Sequence, residues 1–305
     1  MSAYSAPWYT PSVQRLLDLA LEEDVGRGDV TSAAVIEETQ EGEADIVAGE
    51  KAVVCGLGVV EAVFARFDWR TRVRMRVADG DPAVPGTVVA SVRGPAAALL
   101  AGERTALNFL QHLSGIATLT QAFVAAAEGA KLRITDTRKT RPGLRALEKY
   151  AVRVGGGANH RADLASGVLI KDNHIALVGS VREAVRRARA NAPHGLRIAV
   201  EVDTLAQLDE ALESGAEGVL LDNFQVRDMA EAVKRIRERR PQVVVEASGG
   251  VTLDRIHEIS KTGVDVISIG SLTHSARAVN YSCEIRPVEG SQPSLASPAS
   301  PAREP

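Results

Sequence analysis

The sequence predicts an α/β protein: a small, mainly antiparallel sheet, followed by a helix-covered parallel sheet that closes as a complete or incomplete (β/α) barrel. From residue 131 onward, apolar runs (LRIT, GVLI, RIAVEV, GVLL, VVVEA, VDVISIG) recur at roughly 20–35 residue intervals with helix-like runs between them. Such near-continuous apolar strands belong to a sheet buried on both faces. Earlier, ADIVAG, KAVVCG, RVRMRVADG and GTVVASVRG are short and split by Gly, Pro and Asp, as antiparallel strands are. Six or so strand–helix units exceed a short doubly wound sheet, and no GxGxxG follows the first strand to indicate a dinucleotide site.

Along the chain, residues 13–23 (VQRLLDLALEE) have helical apolar spacing, with Leu16, Leu17, Leu19 and Leu21 as the expected buried stripe. DVGRGDVTS reads as a turn-rich loop. A helical stretch opens at Pro95 and runs to about residue 128, with an interruption expected near Ser114 and Gly115. In the second half SVREAVRRARA, TLAQLDEALESG, VRDMAEAVKRIRERR and TLDRIHEISKTG read as helices. Two of these begin with Thr and end in Gly, good N- and C-terminal caps.

Apolar residues make up 45% and charged residues 25% of the chain, enough for a packed core and against global disorder. The net charge of −3 gives no overall basic field, so nucleic acid is not an expected partner. Cys55 and Cys283 form no CxxC, which argues against a structural disulfide or zinc site and fits a reducing, cytoplasmic setting. No signal-peptide pattern opens the chain, and no uncharged apolar run approaches the ~20 residues of a membrane span.

In parallel α/β folds, reactive groups gather where strands end, because loops and helix N-termini meet there. The first barrel strand exits into Arg138, Lys139 and Arg141, with Pro142 expected in the first turn of the next helix. Next comes VGGGANHR, three glycines that allow a close approach to a ligand, then His160 and Arg161. GVLI exits into Lys171 and the polar run after it. Glu201 and Asp222 end two consecutive strands, where they could hold Mg²⁺ through water or accept from ribose hydroxyls; Asp203 reads only as a helix cap. Ser248, Gly249 and Gly250, with Ile269, Gly270, Ser271 and His274, supply Gly/Ser loops at the last two strands, the expected place for a phosphate. A rim with many cations and almost no aromatic residues suits a small, multiply negative, phosphorylated ligand.

TDTRKTRPGLRALEKYAVRVGGGANHR, VLIKDNH, EVD, LLDNF, EASGGV and the LTHS segment together resemble quinolinate phosphoribosyltransferase, the nicotinate-nucleotide pyrophosphorylase family. The likeness runs from about Glu22 to Glu284 and includes GERTALNFLQHLSGIAT. It implies an N-terminal α/β sandwich, residues 1–115 with 276–288 returning to it. It also implies an incomplete (β/α) barrel, 116–275, before a disordered tail, 289–305. It implies conversion of quinolinate and phosphoribosyl pyrophosphate to nicotinate mononucleotide, pyrophosphate and CO₂, with Mg²⁺, by a homodimer. Arg138, His160, Arg161 and Lys171 would surround the dicarboxylate, and Lys139 would lie between it and the pyrophosphate donor. Glu201 and Asp222 would serve the ribose or metal, and residues 248–250 and 269–271 the 5′-phosphate. Arg104 would reach into the partner's site. Asp163, Ser166, Gly167 and Ser271 depart from the family pattern, which bears on loop shape.

Two other readings remain open on the residues. One is the paralogue encoded beside molybdenum-transport genes, which binding of quinolinate against nicotinate would separate. The other is a non-catalytic anion-binding module, which would have no need of Glu201 and Asp222.

Overall fold

The computed structural model describes residues 6–127 and 129–288; the tail expected over 289–305 lies outside the described residues. After a 3-10 turn, Pro7–Tyr9, helix α1 spans Pro11–Val25. Its buried residues are Val13 and Leu17, four apart, with Leu16, Ala20 and Leu21 beside them. Leu19, expected in that stripe, is 63% exposed, because two residues on from Leu17 is about 200° around the helix. The loop expected over DVGRGDVTS ends early: Asp29 accepts the N–H groups of Thr31 and Ser32, both at 3.0 Å, and so caps a short helix, α2 (Val30–Val35).

The first sheet is antiparallel. It is built from β1 (Glu41–Ala48), β3 (Arg72–Met75), β5 (Val88–Pro95) and β12 (Tyr281–Pro287), in the order β12-β1-β5-β3. Along β1 burial alternates strictly, and Ala44, Ile46 and Ala48 face the core. A second, two-stranded pair joins β2 (Ala52–Val53) to β4 (Pro82–Ala83), and α3 (Leu57–Phe64) follows β2.

Helix α4 runs unbroken over Ala96–Ala126, so the interruption expected at Ser114 and Gly115 does not occur. Both residues are there for close packing. Ser114 Oγ accepts the Cys55 N–H at 3.0 Å, and a Cβ on Gly115 would lie 2.1 Å from the carbonyl oxygen of Arg277. Leu99, Leu107, Leu110, Leu113 and Ile116 of α4 are fully buried among the described residues, so this helix forms the spine of the molecule.

The second sheet is parallel and six-stranded, in the order β6-β11-β10-β9-β8-β7, comprising β6 (Arg133–Thr135), β7 (Val168–Ile170), β8 (Ile198–Val202), β9 (Gly218–Asp222), β10 (Val244–Ser248) and β11 (Val266–Ser268). The first strand pairs with the last, but β6 and β7 do not pair, so the barrel is open between them. Ala158, just past α5 (Arg145–Val154), bridges Thr135 on the free edge of β6 and narrows the gap. Helices α6 (Asp172–Val178), α7 (Val181–Asn191), α8 (Leu205–Glu213), α9 (Val226–Arg239), α10 (Leu253–Ser260) and α11 (Ser271–His274) complete the units. Thr204 caps α8 by accepting the Gln207 N–H at 3.2 Å, whereas Thr252 begins α10 without a side-chain cap.

Candidate active site

A cavity of about 600 Å³ opens at the C-terminal ends of the parallel strands. Strand alternation decides which side chains reach it: Leu169 and Lys171, Leu220 and Asp222, Glu246 and Ser248 are pairs two residues apart, and each pair lines it. Most of the barrel residues anticipated from the sequence are present: Arg138, Lys139, His160, Arg161, Lys171, Glu201, Asp222, Ser248, Gly249, Gly250, Ile269, Gly270, Ser271 and His274. Arg104 is not; it lies exposed on α4.

The cations are held in place by a layer behind them. Asp136, directly after β6, is fully buried and pairs with Lys149 of α5. The same carboxylate accepts the His160 N–H at 2.9 Å and the Asn159 side-chain amide, while Lys149 Nζ donates to the His160 carbonyl at 3.1 Å. Burial pushes the Asp136 pKa up, and the Lys149 ammonium works against that rise. Removing either partner would leave the other charge buried and alone, a loss of about 3–5 kcal/mol. Segment 159–161, which delivers His160 and Arg161, is thereby fixed to the barrel. Arg145 ties the loops on both sides of it together, donating to Thr140 Oγ1 at 2.9 Å and to the Ala162 carbonyl at 3.1 Å.

Arg138 stands close enough for its charge to act on Arg161. Burial first, and then the neighbouring charge of Arg138, lower the Arg161 pKa from the usual guanidinium range. Arg161 Nη1 donates to the Gly167 carbonyl at 3.0 Å, just before β7, and Arg138 Nε is buried with no acceptor among the described residues. Two guanidiniums lining one cavity suit an anion with more than one carboxylate. Lys171, beside them, pairs with Glu201.

The other half of the cavity is made of loops. Asp222 accepts from the side-chain amide of Asn223 at 2.8 Å, and Asn223 holds a positive φ of 55°. Gly249 (φ 88°) packs against Asn223 so closely that a Cβ there would sit 2.2 Å from Asn223 Oδ1. Among the described residues, no acceptor is found for the backbone N–H groups of Gly249, Gly250, Gly270 and Ser271. Free donors of this kind beside Ser248 and Ser271 suit a phosphate.

The family model described as "Quinolinate phosphoribosyl transferase, C-terminal domain" matches residues 116–284, and its N-terminal counterpart matches 29–114. The chain belongs to this family. It is 43% identical over 274 residues to the probable nicotinate-nucleotide pyrophosphorylase [carboxylating] of Bacillus subtilis, covering 90% of this chain and 93% of that one. Identity to the Mycobacterium leprae nicotinate-nucleotide pyrophosphorylase [carboxylating] is 45%, covering 87% and 94%. The crystal structure of NadC from Streptococcus pyogenes superposes with a TM-score of 0.87 at 39% identity, over 92% of this chain and 99% of that one.

Several expectations need correction within this family framework. Arg141 turns away from the cavity: its guanidinium meets His112 at 3.1 Å and the buried carboxylate of Glu148 at 3.4 Å, and donates to the Thr273 carbonyl at 3.1 Å. It therefore locks the 138–141 loop to helix α11. Pro142 precedes α5 instead of lying in its first turn, since the helix starts at Arg145. The glycines at 155–157 do not line the cavity. A Cβ on Gly155 would lie 2.4 Å from the Ala117 carbonyl oxygen, so close packing on α4 is what excludes a side chain there. Asp163 and Ser166, departures from the family pattern, bond to each other in an exposed turn.

Glu246 lines the cavity and was missed, as were the supporting residues Asp136, Lys149 and Asn159. Asp136 had a usable signal, since it is the first residue after a barrel strand, where reactive groups gather. Lys149 had none, because only the folded chain brings it to Asp136.

Proposed function

We propose that this cavity transfers the phosphoribosyl group of phosphoribosyl pyrophosphate to quinolinate and releases CO₂, giving nicotinate mononucleotide and pyrophosphate in NAD biosynthesis. The observation that carries this reading is a single cavity lined by Arg138, Lys139, Arg161 and Lys171 together with Glu201, Asp222 and the Gly/Ser loops. Arg138, Arg161 and Lys171 bind the two carboxylates of the pyridine, and His160 walls that half. Lys139 lies where the ring meets the departing pyrophosphate. Glu201 and Asp222 serve the ribose, and residues 248–250 with Ile269, Gly270, Ser271 and His274 take the 5′-phosphate.

The chemistry asks mainly for orientation and charge. The ring nitrogen attacks C1 of the ribose, and the C1–O bond breaks with its electron pair leaving on pyrophosphate. Cations next to that oxygen neutralise the charge that develops there. Holding both substrates in register removes much of the entropic barrier. Mg²⁺ would supply further charge neutralisation on the pyrophosphate. No group of three or more metal-ligating side chains exists among the described residues. Mg²⁺ usually keeps several waters and takes one or two carboxylates plus substrate phosphates, and Glu201 with Asp222 fits that pattern. The protein is read as a cytoplasmic homodimer in which Arg104, exposed on α4, completes the partner's cavity. No helix among the described residues is long and apolar enough to cross a membrane.

The test is the loss of quinolinate absorbance on adding phosphoribosyl pyrophosphate and Mg²⁺, with nicotinate mononucleotide measured by a coupled enzyme. Nicotinate consumed in place of quinolinate would overturn the assignment.

A further inference from the structure

The roles assigned above leave Glu246 unexplained. It sits on β10 in register with Leu220 of β9, which is in register with Glu201 of β8, so Glu246 and Glu201 occupy one layer of the barrel. Ser248 of the phosphate half lies two residues further along the same strand. Glu246 Oε2 meets His160 Nε2 at 3.2 Å, and His160 adjoins Arg161 of the dicarboxylate half. Glu246 therefore marks the junction between the two halves, where the new C–N bond must form.

Its surroundings are unusual in two respects. The Arg161 N–H donates to His160 Nδ1 at 2.9 Å, which fixes the imidazole with its proton on Nε2, directed at Glu246. Both ring nitrogens are thus engaged within the protein, and His160 works as a clamp on the carboxylate. The second oxygen, Oε1, is buried with no partner among the described residues, so the carboxylate's charge is only partly satisfied within the protein, an arrangement that a nearby positive group would favour.

The reaction produces such a group at this junction. When the ring nitrogen's lone pair bonds to ribose C1 and pyrophosphate departs with the C1–O electron pair, the pyridine becomes a cation. When CO₂ then leaves, the C–C electron pair stays on the ring carbon beside that positive nitrogen, and the carbon takes a proton from solvent. We propose that Glu246, held by His160, supplies the buried negative charge that stabilises this pyridinium, as a catalytic residue selective for the ribosylated ring over free quinolinate. The inference rests on the reading of the reaction given above.

The test compares wild type, Glu246→Gln and Glu246→Asp. Quinolinate and nicotinate mononucleotide, the latter a pyridinium, are titrated into each protein by calorimetry, and kcat is measured in parallel. Glu246→Gln is expected to weaken nicotinate mononucleotide binding by roughly tenfold or more while quinolinate binds as well or better. Its kcat should fall by about 100-fold or more, with partial recovery in Glu246→Asp, which keeps the charge. Equal loss of affinity for both ligands would mean a merely structural role and overturn the proposal, as would a kcat near wild type. If wild type itself makes no nicotinate mononucleotide, the reaction assignment fails and this inference falls with it; an active wild type beside an unaffected Glu246→Gln sinks the inference alone.

Discussion

At the scale of single residues, the site is governed by charges that the fold forces together. Arg138 and Arg161 line one cavity, the Arg138 charge acts on Arg161, and Arg161 is anchored through the Gly167 carbonyl; on the proposed reading a dicarboxylate would relieve that repulsion. Lysine keeps the charge but loses the planar fork, so Arg161→Lys isolates bidentate geometry from electrostatics. Charge-assisted hydrogen bonds contribute about 1.5–3 kcal/mol, so kcat/KM for quinolinate should fall roughly 10- to 100-fold. The KM for phosphoribosyl pyrophosphate should hardly change. Steady-state kinetics with each substrate varied in turn decides it; a defect shared equally between the two substrates would contradict the division of the cavity. Much of this site was legible beforehand because a strand that is apolar throughout and then turns abruptly polar announces its C-terminal end, as at Lys171 and Asp222. Glu246 escaped because it lies inside VVVEAS, two residues before the strand end at Ser248, and a reading of strand ends passes over it.

At the scale of elements, local propensity and tertiary contact compete, and the sequence displays only the first. The strands and helices of the barrel were readable because each is amphipathic or uniformly apolar over its whole length. Ser114 and Gly115 carry the composition of a helix break, yet α4 passes through them because Arg277, more than 160 residues later in the chain, needs the space. The same holds at Gly155, whose missing side chain admits the Ala117 carbonyl and not a ligand. Gly115→Ala should therefore destabilise the protein although alanine is the better helix former. Overpacking typically costs about 1–3 kcal/mol, and a clash with backbone leaves little room for relief. Thermal or denaturant unfolding of the variant would measure it, and a gain in stability would show that the Arg277 segment yields easily.

At the scale of the whole molecule, one chain supplies a cavity open at its rim and a cation that takes no part in it. Arg104 stands exposed on α4, outside the cavity formed by Arg138, Arg161 and Lys171. A role for Arg104 in catalysis thus requires a second copy of the chain, and symmetric dimers permit exchange of such residues in both directions. Mixing two inactive variants distinguishes this from a role within one chain. In a heterodimer of Arg104→Ala with Arg161→Ala, one cavity takes its own Arg161 and the partner's Arg104 and is intact, while the other lacks both. Random re-association of equal amounts places half the chains' pairs in heterodimers, so activity should return to about a quarter of wild type. Each variant alone should stay near its own low rate. No recovery on mixing, with heterodimers verified by differential tagging, would confine Arg104 to its own chain or remove it from the reaction; full activity of Arg104→Ala alone would do the same more directly.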